Sequence, residues 1–256
     1  LEVLDACRDD PFLRDAFVLH GGSALNLFYD DAPRLSVDID LMFVGEDELD
    51  KMRAVRPEVD RRIRRALEAI GYVVQGTNDE HSGQTYRVKY PGDFVKLDVS
   101  YLARVTVLAP DVRRCTLAEP QVGFPVVRLP ELIAGKVKAM MERVAARDLF
   151  DLYRLSRRHP GAFTDALTRA LTVRSITAAN PFPSLVDPVV ALERFHAVAP
   201  DFTAPLTAML RSEDATDFDE MQTAVARWLR PLATLSDEEA EYVRLLDEEA
   251  TYAPEL

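Results

Sequence analysis

Two aspartates interrupt the strand pattern of residues 36 to 44, and they constrain the chain more than any other feature of its sequence. In the segment SVDIDLMFV, Ile39 and Leu41 alternate with Asp38 and Asp40. Alternate residues of a strand face the same side about 6 to 7 Å apart, so both carboxylates leave one face while the apolar residues enter a core. Aspartate is a poor strand former, and such a conflict between propensity and pattern is typical of a functional site.

A second strand pattern carries a third carboxylate. The segment FVKLDVSYL places Lys96, Asp98 and Ser100 in alternation with apolar residues. Three carboxylates that converged would repel one another unless a divalent cation lay between them. Their oxygens are hard ligands that suit Mg²⁺. Asp38, Asp40 and Asp98 are therefore predicted metal ligands, the alternative being that the first two face solvent and Asp98 lies elsewhere.

A glycine turn precedes the first aspartate. Gly21-Gly22-Ser23 follows the short apolar run FVLH. Glycines let a backbone approach a phosphate closely, and backbone N–H groups with the Ser23 hydroxyl can donate to it. Gly22 and Ser23 are predicted nucleotide-binding residues, and Ser23 is also predicted to cap the helix that follows. By itself, Gly-Gly-Ser is typical of a turn that caps a helix. The prediction of nucleotide binding depends on its spacing to Asp38.

Hydrophobic periodicity predicts a mixed first half and a helical second half. The predicted strands lie at 36–44, 72–75, 84–90 and 94–102, the last two as a hairpin across Pro91-Gly92-Asp93. The predicted helices lie at 46–70 with a break near Pro57, at 130–158 without a break, and near 162–174, 186–198, 203–211, 217–230 and 236–250. We expect an α+β protein in which a mixed sheet with helices (1–128) is followed by a C-terminal helical bundle (129–256).

The charge of the chain excludes general coating of nucleic acid. The 256 residues include 31 basic and 43 acidic side chains, a net charge of −12, and residues 161–256 carry 7 against 17. Binding along phosphates needs local positive charge, which an acidic chain lacks over most of its surface. Residues 50–68, with seven basic against four acidic side chains, are the exception. They predict either a face for an RNA acceptor or a solvated helix with pairs such as Glu58 and Arg62.

The remaining composition favours a cytoplasmic protein that does not enter a membrane. Cys7 and Cys115 form no CxxC pair, which argues against a zinc site or a disulfide framework. No apolar stretch approaches the roughly 18 residues of a membrane span, and the acidic opening segment is not a signal peptide. The chain starts at Leu1 rather than Met, which leaves room for natural residues before it.

Two longer blocks join these motifs into one pattern. HGGSALNLFYDDAPRLSVDIDLMF and LIAGKVKAMMERVAARDLFDLYRL resemble the DNA polymerase β-like nucleotidyltransferase superfamily and, within it, the AbiEii/AbiGii toxin family of type IV toxin–antitoxin systems, to which the MenT toxins belong. The resemblance covers about 20–43, 94–101 and 131–155. It implies a polymerase β-like core and an enzyme that transfers a nucleoside monophosphate from an NTP with Mg²⁺ (or Mn²⁺). In MenT-like members the acceptor is the tRNA 3′ end, so translation and growth are blocked, and a cognate antitoxin is the partner.

The resemblance also implies roles for single residues. Asp38 and Asp40 would be catalytic metal carboxylates, and Ser23 would touch the triphosphate. Lys136 and Asp151 of the helical domain would complete the catalytic set, although Gly135 replaces the acid that usually precedes the lysine. In some relatives, phosphorylation of the hydroxyl residue two before the first aspartate silences the toxin, and that place is held here by Ser36.

The spacing of the second block is consistent with these roles. If the helix is continuous, Lys136, Arg143, Arg147 and Asp151 share one face, and Lys136 and the two arginines are predicted to bind the nucleotide. The alternative is a polar stripe that faces water. Two other functions stay open: transfer to a protein hydroxyl or a small molecule such as an aminoglycoside, and a non-catalytic partner-binding protein with the same fold.

Overall fold

The computed structural model of the protein describes residues 1–36, 38–80, 82–115, 117, 119, 121–177, 188–197, 203–214 and 216–249. The chain divides into two compact units, Leu1–Arg128 and Leu129–Leu256. The first combines a sheet with helices and the second is helical, so the predicted α+β class is confirmed. None of the helices in the described ranges combines the length and apolar composition that a membrane span needs.

One mixed sheet organises the first unit. Its strands are β1 (Phe17–His20), β2 (Asp38–Phe43), β3 (Val73–Glu80), β4 (Gly83–Tyr90), β5 (Asp93–Ser100), β6 (Asp111–Cys115) and β7 (Val122–Val126). Their order is β3-β4-β5-β2-β1-β7-β6. The pairs β2 with β5 and β1 with β7 are parallel, and the other pairs are antiparallel. The aspartate-bearing strand β2 is therefore central, between β1 and β5.

The period-two pattern separates a core face from a polar face on these central strands. Leu41 and Phe43 of β2 and Leu97 and Val99 of β5 are buried, whereas the aspartates between them are half-buried. The predicted hairpin of β4 and β5 is confirmed, and Gly92 in its turn has a φ of +91°, which favours glycine. The sheet thus holds its carboxylates on the side opposite its apolar core.

The long helix of the first unit runs through its proline. The helices of this unit are α1 (Glu2–Asp9), α2 (Pro11–Ala16), α3 (Gly21–Ala24), extended by a π-helical turn to Tyr29, and α4 (Leu49–Ala69). The predicted break near Pro57 is wrong, because α4 is continuous. Its buried stripe, Met52, Val59, Ile63 and Leu67, packs against α1, α2 and β3 on both sides of the proline. This packing outweighs the hydrogen bond that proline removes.

The helix after the glycine turn also starts differently from the prediction. α3 begins at Gly21, and the residue before it, His20, makes no capping bond with its side chain. Ser23 is the third residue of α3 and does not cap it, so that prediction is wrong. Gly21 has a φ of +69°, which turns the chain from β1 directly into the helix.

The second unit is built of helices alone in the ranges that the structure describes. They are α5 (Leu129–Glu142), α6 (Ala146–Arg158), α7 (Ala166–Thr177), α8 (Pro188–Glu193), α9 (Ala204–Thr207), α10 (Phe218–Leu229) and α11 (Asp237–Glu249). The predicted continuous helix over 130–158 is wrong, because the chain leaves the helical path between Glu142 and Ala146. Part of the helix predicted at 186–198 lies outside the described residues. The helix predicted near 203–211 is shorter than expected, because α9 ends at Thr207.

Candidate active site

A row of polar residues crosses four neighbouring strands. Asp40 of β2 is directly opposite His20 of β1 and Asp98 of β5, and Asp98 is in turn opposite Thr85 of β4. Residues directly opposite one another in adjacent strands share a face of the sheet. Asp38, two positions from Asp40, is on this face as well. The structure therefore places the three predicted metal carboxylates on one face of adjacent strands.

Both oxygens of the Asp98 carboxylate have partners within the sheet. The Thr85 hydroxyl donates to Oδ1 at 2.6 Å, and the Lys96 ammonium donates to Oδ2 at 2.6 Å. The hydrogen bond to Asp98, and then the negative charges of Asp98, Asp38 and Asp40, raise the pKa of Lys96 above its ordinary value, against a smaller opposing effect of partial burial. The strand pattern places Lys96 on the same face as Asp98, but it did not predict the contact between them.

Gly21 fixes the approach of the backbone to Asp40. A Cβ atom at this position would overlap the Asp40 carboxylate, and the φ of +69° independently disfavours any other residue. The neighbouring Gly22 lies against a buried arginine: a Cβ there would come within 2.9 Å of Arg34 Nη2 and 3.4 Å of Ser36 Oγ. The glycine turn is thus packed against both a carboxylate and a guanidinium, neither of which the sequence motif alone reveals.

The hydroxyl groups of the turn hold the start of β2. Ser23 is buried, and its hydroxyl donates to the main-chain oxygen of Asp38 and lies 3.0 Å from Ser36 Oγ. Ser36 Oγ also lies 3.4 Å from the same main-chain oxygen. These hydrogen bonds join α3 to β2 at its first residue, Asp38, so the Ser23 side chain positions that aspartate.

The carboxylates have the chemistry of a divalent-cation site. Asp38, Asp40 and Asp98 supply only hard oxygen atoms on a half-exposed surface, and this donor set fits an ion such as Mg²⁺ that also keeps water and phosphate ligands. Across the described ranges, no three or more His, Cys, Asp or Glu side chains are placed so that together they could hold a metal ion. Asp98 is instead bound to Thr85 and Lys96.

A buried ionic network occupies the second unit. Lys136 Nζ of α5 lies 2.6 Å from Asp151 Oδ2 and 3.4 Å from Asp148 Oδ1, both on α6. Arg143 binds Asp148 through two nitrogens at 2.7 and 3.0 Å. Asp148, Asp151 and Lys136 are all buried, whereas about half of the Arg143 side chain is exposed. The network therefore ties α5 to α6 across the break in the helical path.

The predicted residues of the second unit are only partly brought together. Lys136, Arg143 and Asp151 belong to the network, but the shared helical face predicted for them fails because α5 and α6 are separate helices. Arg147 is half-buried near the start of α6. Asp148, which was not predicted, links Lys136 and Arg143. It belongs to the segment RDLFDL at 147–152 of the second resembling block, but its contact with both basic residues cannot be read from the sequence.

Comparisons with known proteins agree with this architecture. Residues 2–224 match the family model described as nucleotidyl transferase AbiEii toxin, type IV TA system. Among solved structures, the chain is similar to MenT4, a nucleotidyltransferase toxin from Mycobacterium tuberculosis H37Rv, with a TM-score of 0.68 and 19% sequence identity. This likeness covers 97% of the present chain and 86% of that chain, and it concerns the fold. No curated protein matches the chain.

The strand carboxylates and the mixed sheet, together with these matches, define the protein as a nucleotidyltransferase. The chain belongs to the AbiEii family, the nucleotidyltransferase toxins of type IV toxin–antitoxin systems. The predicted family and enzyme class are confirmed. Membership implies an NTP substrate, a divalent metal and an antitoxin partner.

Proposed function

We propose that this toxin transfers a nucleoside monophosphate from an NTP to the 3′ end of tRNA in a reaction that depends on Mg²⁺. The supporting observation is the placement of Asp38, Asp40 and Asp98 on one face of adjacent strands in a member of a nucleotidyltransferase family. Such a modified tRNA cannot accept an amino acid normally, which would account for toxicity through loss of translation.

In the proposed reaction, the acceptor 3′ oxygen forms a bond to the α-phosphorus, the bond between the α-phosphorus and the bridging oxygen breaks, and pyrophosphate leaves. Asp38 and Asp40 would hold the cation, and Asp98 would either join them or accept the proton of the acceptor hydroxyl. When bound, the divalent cation supplies neutralisation of the phosphate charge and of the leaving pyrophosphate. Asp38 and Asp40 are fixed for this task by their strand register.

The glycine turn, Gly21-Gly22-Ser23, is the proposed binding site for the nucleotide phosphates. The first N–H groups of a helix have no partners within it, so the main chain of Gly22 and Ser23 is suited to donate to a phosphate oxygen. Since the Ser23 hydroxyl is already engaged with β2, we assign Ser23 to nucleotide binding through its main chain and to positioning through its side chain.

Residues of the second unit enter the proposal because of the family membership. Lys136 is the proposed basic residue of the reaction, and Asp151 would hold its ammonium in place, as the 2.6 Å contact allows. Arg143 and Arg147 are the proposed binders of phosphate charge. Lys136→Met is expected to abolish transfer, whereas Lys138→Met, on the same helix but in a surface pair with Glu142, should leave it intact.

Ser36 is a proposed site of regulatory phosphorylation. A phosphate there would add a charge of about −1.5 to −2 beside Asp38 and would separate the two hydroxyls that join α3 to β2. Ser36→Asp is therefore expected to lower the transfer rate far more than Ser36→Ala does, as measured by label transfer at fixed enzyme concentration. Equal rates for the two variants would contradict this role.

The proposed activity is tested by incubating the protein with each α-labelled NTP, Mg²⁺ and three acceptors in parallel: total tRNA, a protein extract and an aminoglycoside. We expect label on tRNA, lost with a chelator and reduced by about a hundredfold or more in Asp38→Asn. Asp93→Asn, which changes an exposed aspartate at the start of β5, is the matched control. Label on a protein or on the aminoglycoside alone would replace tRNA as the acceptor.

A further inference from the structure

Lys96 binds one of the strand carboxylates and lies opposite a second in the strand register, a position that the family comparison does not explain. We propose that Lys96 is a built-in counter-ion, which offsets part of the charge of the carboxylates in the metal-free protein and which the divalent cation must displace from Asp98 on binding. This inference rests on the proposed metal site and adds a residue that controls its affinity.

The contacts of Asp98 are the first support. Its Oδ2 is bound by the Lys96 ammonium and its Oδ1 by the Thr85 hydroxyl, each at 2.6 Å. A cation that used Asp98 as a ligand would need at least one of these oxygens. The threonine can rotate its hydroxyl and remain in contact, but the ammonium carries a positive charge that repels an incoming cation. Lys96 is therefore the group that has to move.

The strand register is the second support. Lys96 lies directly opposite Asp38, and Asp98 directly opposite Asp40, in the parallel pair of β2 and β5. One ammonium thus shares a face of the sheet with three carboxylates that repel one another, and it binds one of them. With 43% of its side chain exposed, Lys96 also has open solvent into which its long chain can swing.

Displacement of Lys96 links metal binding to nucleotide binding. Once released from Asp98, the ammonium is a mobile cation at the edge of the site, and the triphosphate is the anion that arrives with the metal. The wild-type protein should therefore bind the metal weakly alone and more tightly with an NTP present. A variant without this ammonium should bind the metal alone more tightly and gain less from the NTP.

The test measures Mn²⁺ binding by electron paramagnetic resonance, with and without an NTP and with no acceptor present. Lys96→Met is expected to bind Mn²⁺ alone about fivefold more tightly than wild type, the size of one partly exposed ion pair, and to show a smaller enhancement by NTP. Lys96→Arg, which keeps the charge, should resemble wild type. Lys89→Met removes an exposed lysine of the adjacent strand β4 and is the matched control.

The outcomes separate this inference from the proposed function. If wild type binds Mn²⁺ and Asp38→Asn abolishes that binding, the metal site stands. Equal or weaker Mn²⁺ binding by a folded Lys96→Met would then overturn the counter-ion role alone. If Asp38→Asn binds Mn²⁺ as well as wild type does, the proposed metal site itself fails. A melting curve in chelator confirms that each variant is folded.

Discussion

At Gly21 the main chain passes close to the Asp40 carboxylate. Two independent features require glycine there: the positive φ, and the Asp40 carboxylate that fills the space a Cβ would take. Gly71, which ends α4, shares only the first feature, because it has a φ of +88° and no atom near the position of its absent Cβ. An alanine at Gly71 would therefore introduce backbone strain alone, whereas an alanine at Gly21 would introduce the same strain and a clash with Asp40.

We predict that Gly21→Ala and Gly71→Ala both lower the free energy of unfolding by about 1 kcal/mol or more, because alanine is strained at positive φ. Only Gly21→Ala should also displace Asp40 and abolish nucleotidyl transfer. Denaturant titration and label transfer measure the two effects. Full activity in Gly21→Ala, or equal loss of activity in both variants, would contradict this account of the glycine turn.

At the residue scale, the sequence predicted what depends on periodicity and missed what depends on contact. Asp38, Asp40 and Asp98 could be assigned to one face because strands alternate with a period of two. Lys96 shares that alternation, but its bond to Asp98 depends on a rotamer that no pattern encodes. The burial of the Ser23 hydroxyl depends on how α3 meets β2, which is equally invisible in the sequence.

At the scale of elements, α5 and α6 are joined by charge rather than by a continuous helix. Residues 143–145 read Arg-Val-Ala and contain neither glycine nor proline, so no breaker predicts the interruption. Lys136 of α5 is buried, and so are Asp148 and Asp151 of α6. Lys136 can pair with both carboxylates because the chain turns between the two helices. A tertiary network has overridden local helix propensity here.

We predict that Asp151→Leu destabilises the protein by about 3 kcal/mol, because it deprives the buried Lys136 ammonium of its closest carboxylate. The double variant Lys136→Met/Asp151→Leu should recover part of this loss, since neither charge then remains and Asp148 keeps Arg143. Denaturant unfolding measures both. Lys138→Met should change stability by less than about 0.5 kcal/mol. Strictly additive effects of the two substitutions would contradict the pairing.

Strands with a clear alternation of polar and apolar residues were predicted, and strands that depend on their neighbours in the sheet were not. The alternation of polar and apolar residues predicted β2, β4 and β5, and the Pro91-Gly92 turn predicted the hairpin of β4 and β5. β6 was missed because DVRRC has only two apolar residues, one of which, Val112, is 77% exposed. β7 was missed because it contains glycine and proline, which are rare in strands. Both strands depend on pairing: β7 pairs with β1, and β6 pairs with β7.

At the scale of the whole molecule, the protein has a net charge of −12, although its proposed acceptor, tRNA, is also an anion. The arginines of α4, the best basic candidate, are largely paired: Arg62 with Glu58 at 2.5 Å, as predicted, and also with Asp10, and Arg64 with Asp60. The solvated-helix interpretation therefore explains most of that basic segment. The proposed recognition of tRNA would therefore rely on few local contacts.

The cysteines offer a way to follow folding of the first unit. Burial, and then the charge of Asp10, raise the pKa of the Cys7 thiol from 9.0 to about 12, and Cys115 is also buried. We predict that neither thiol reacts with a thiol reagent at pH 8 until the protein unfolds. Because the unfolded chain releases the Cys7 proton first, stability should also fall as the pH rises from 9 towards 12. Rapid reaction of either thiol in native buffer would contradict the packing described.

Nucleotide transfer by the strand carboxylates is the central proposal, and mass spectrometry of tRNA tests it most directly. After incubation of tRNA with the protein, NTPs and Mg²⁺, the 3′-terminal fragment should gain the mass of one or more nucleoside monophosphates. The same reaction with Asp40→Asn should leave the fragment unchanged, and Asp93→Asn should act as wild type. A fragment of unchanged mass with the wild-type protein, or an equal gain with Asp40→Asn, would contradict the central claim.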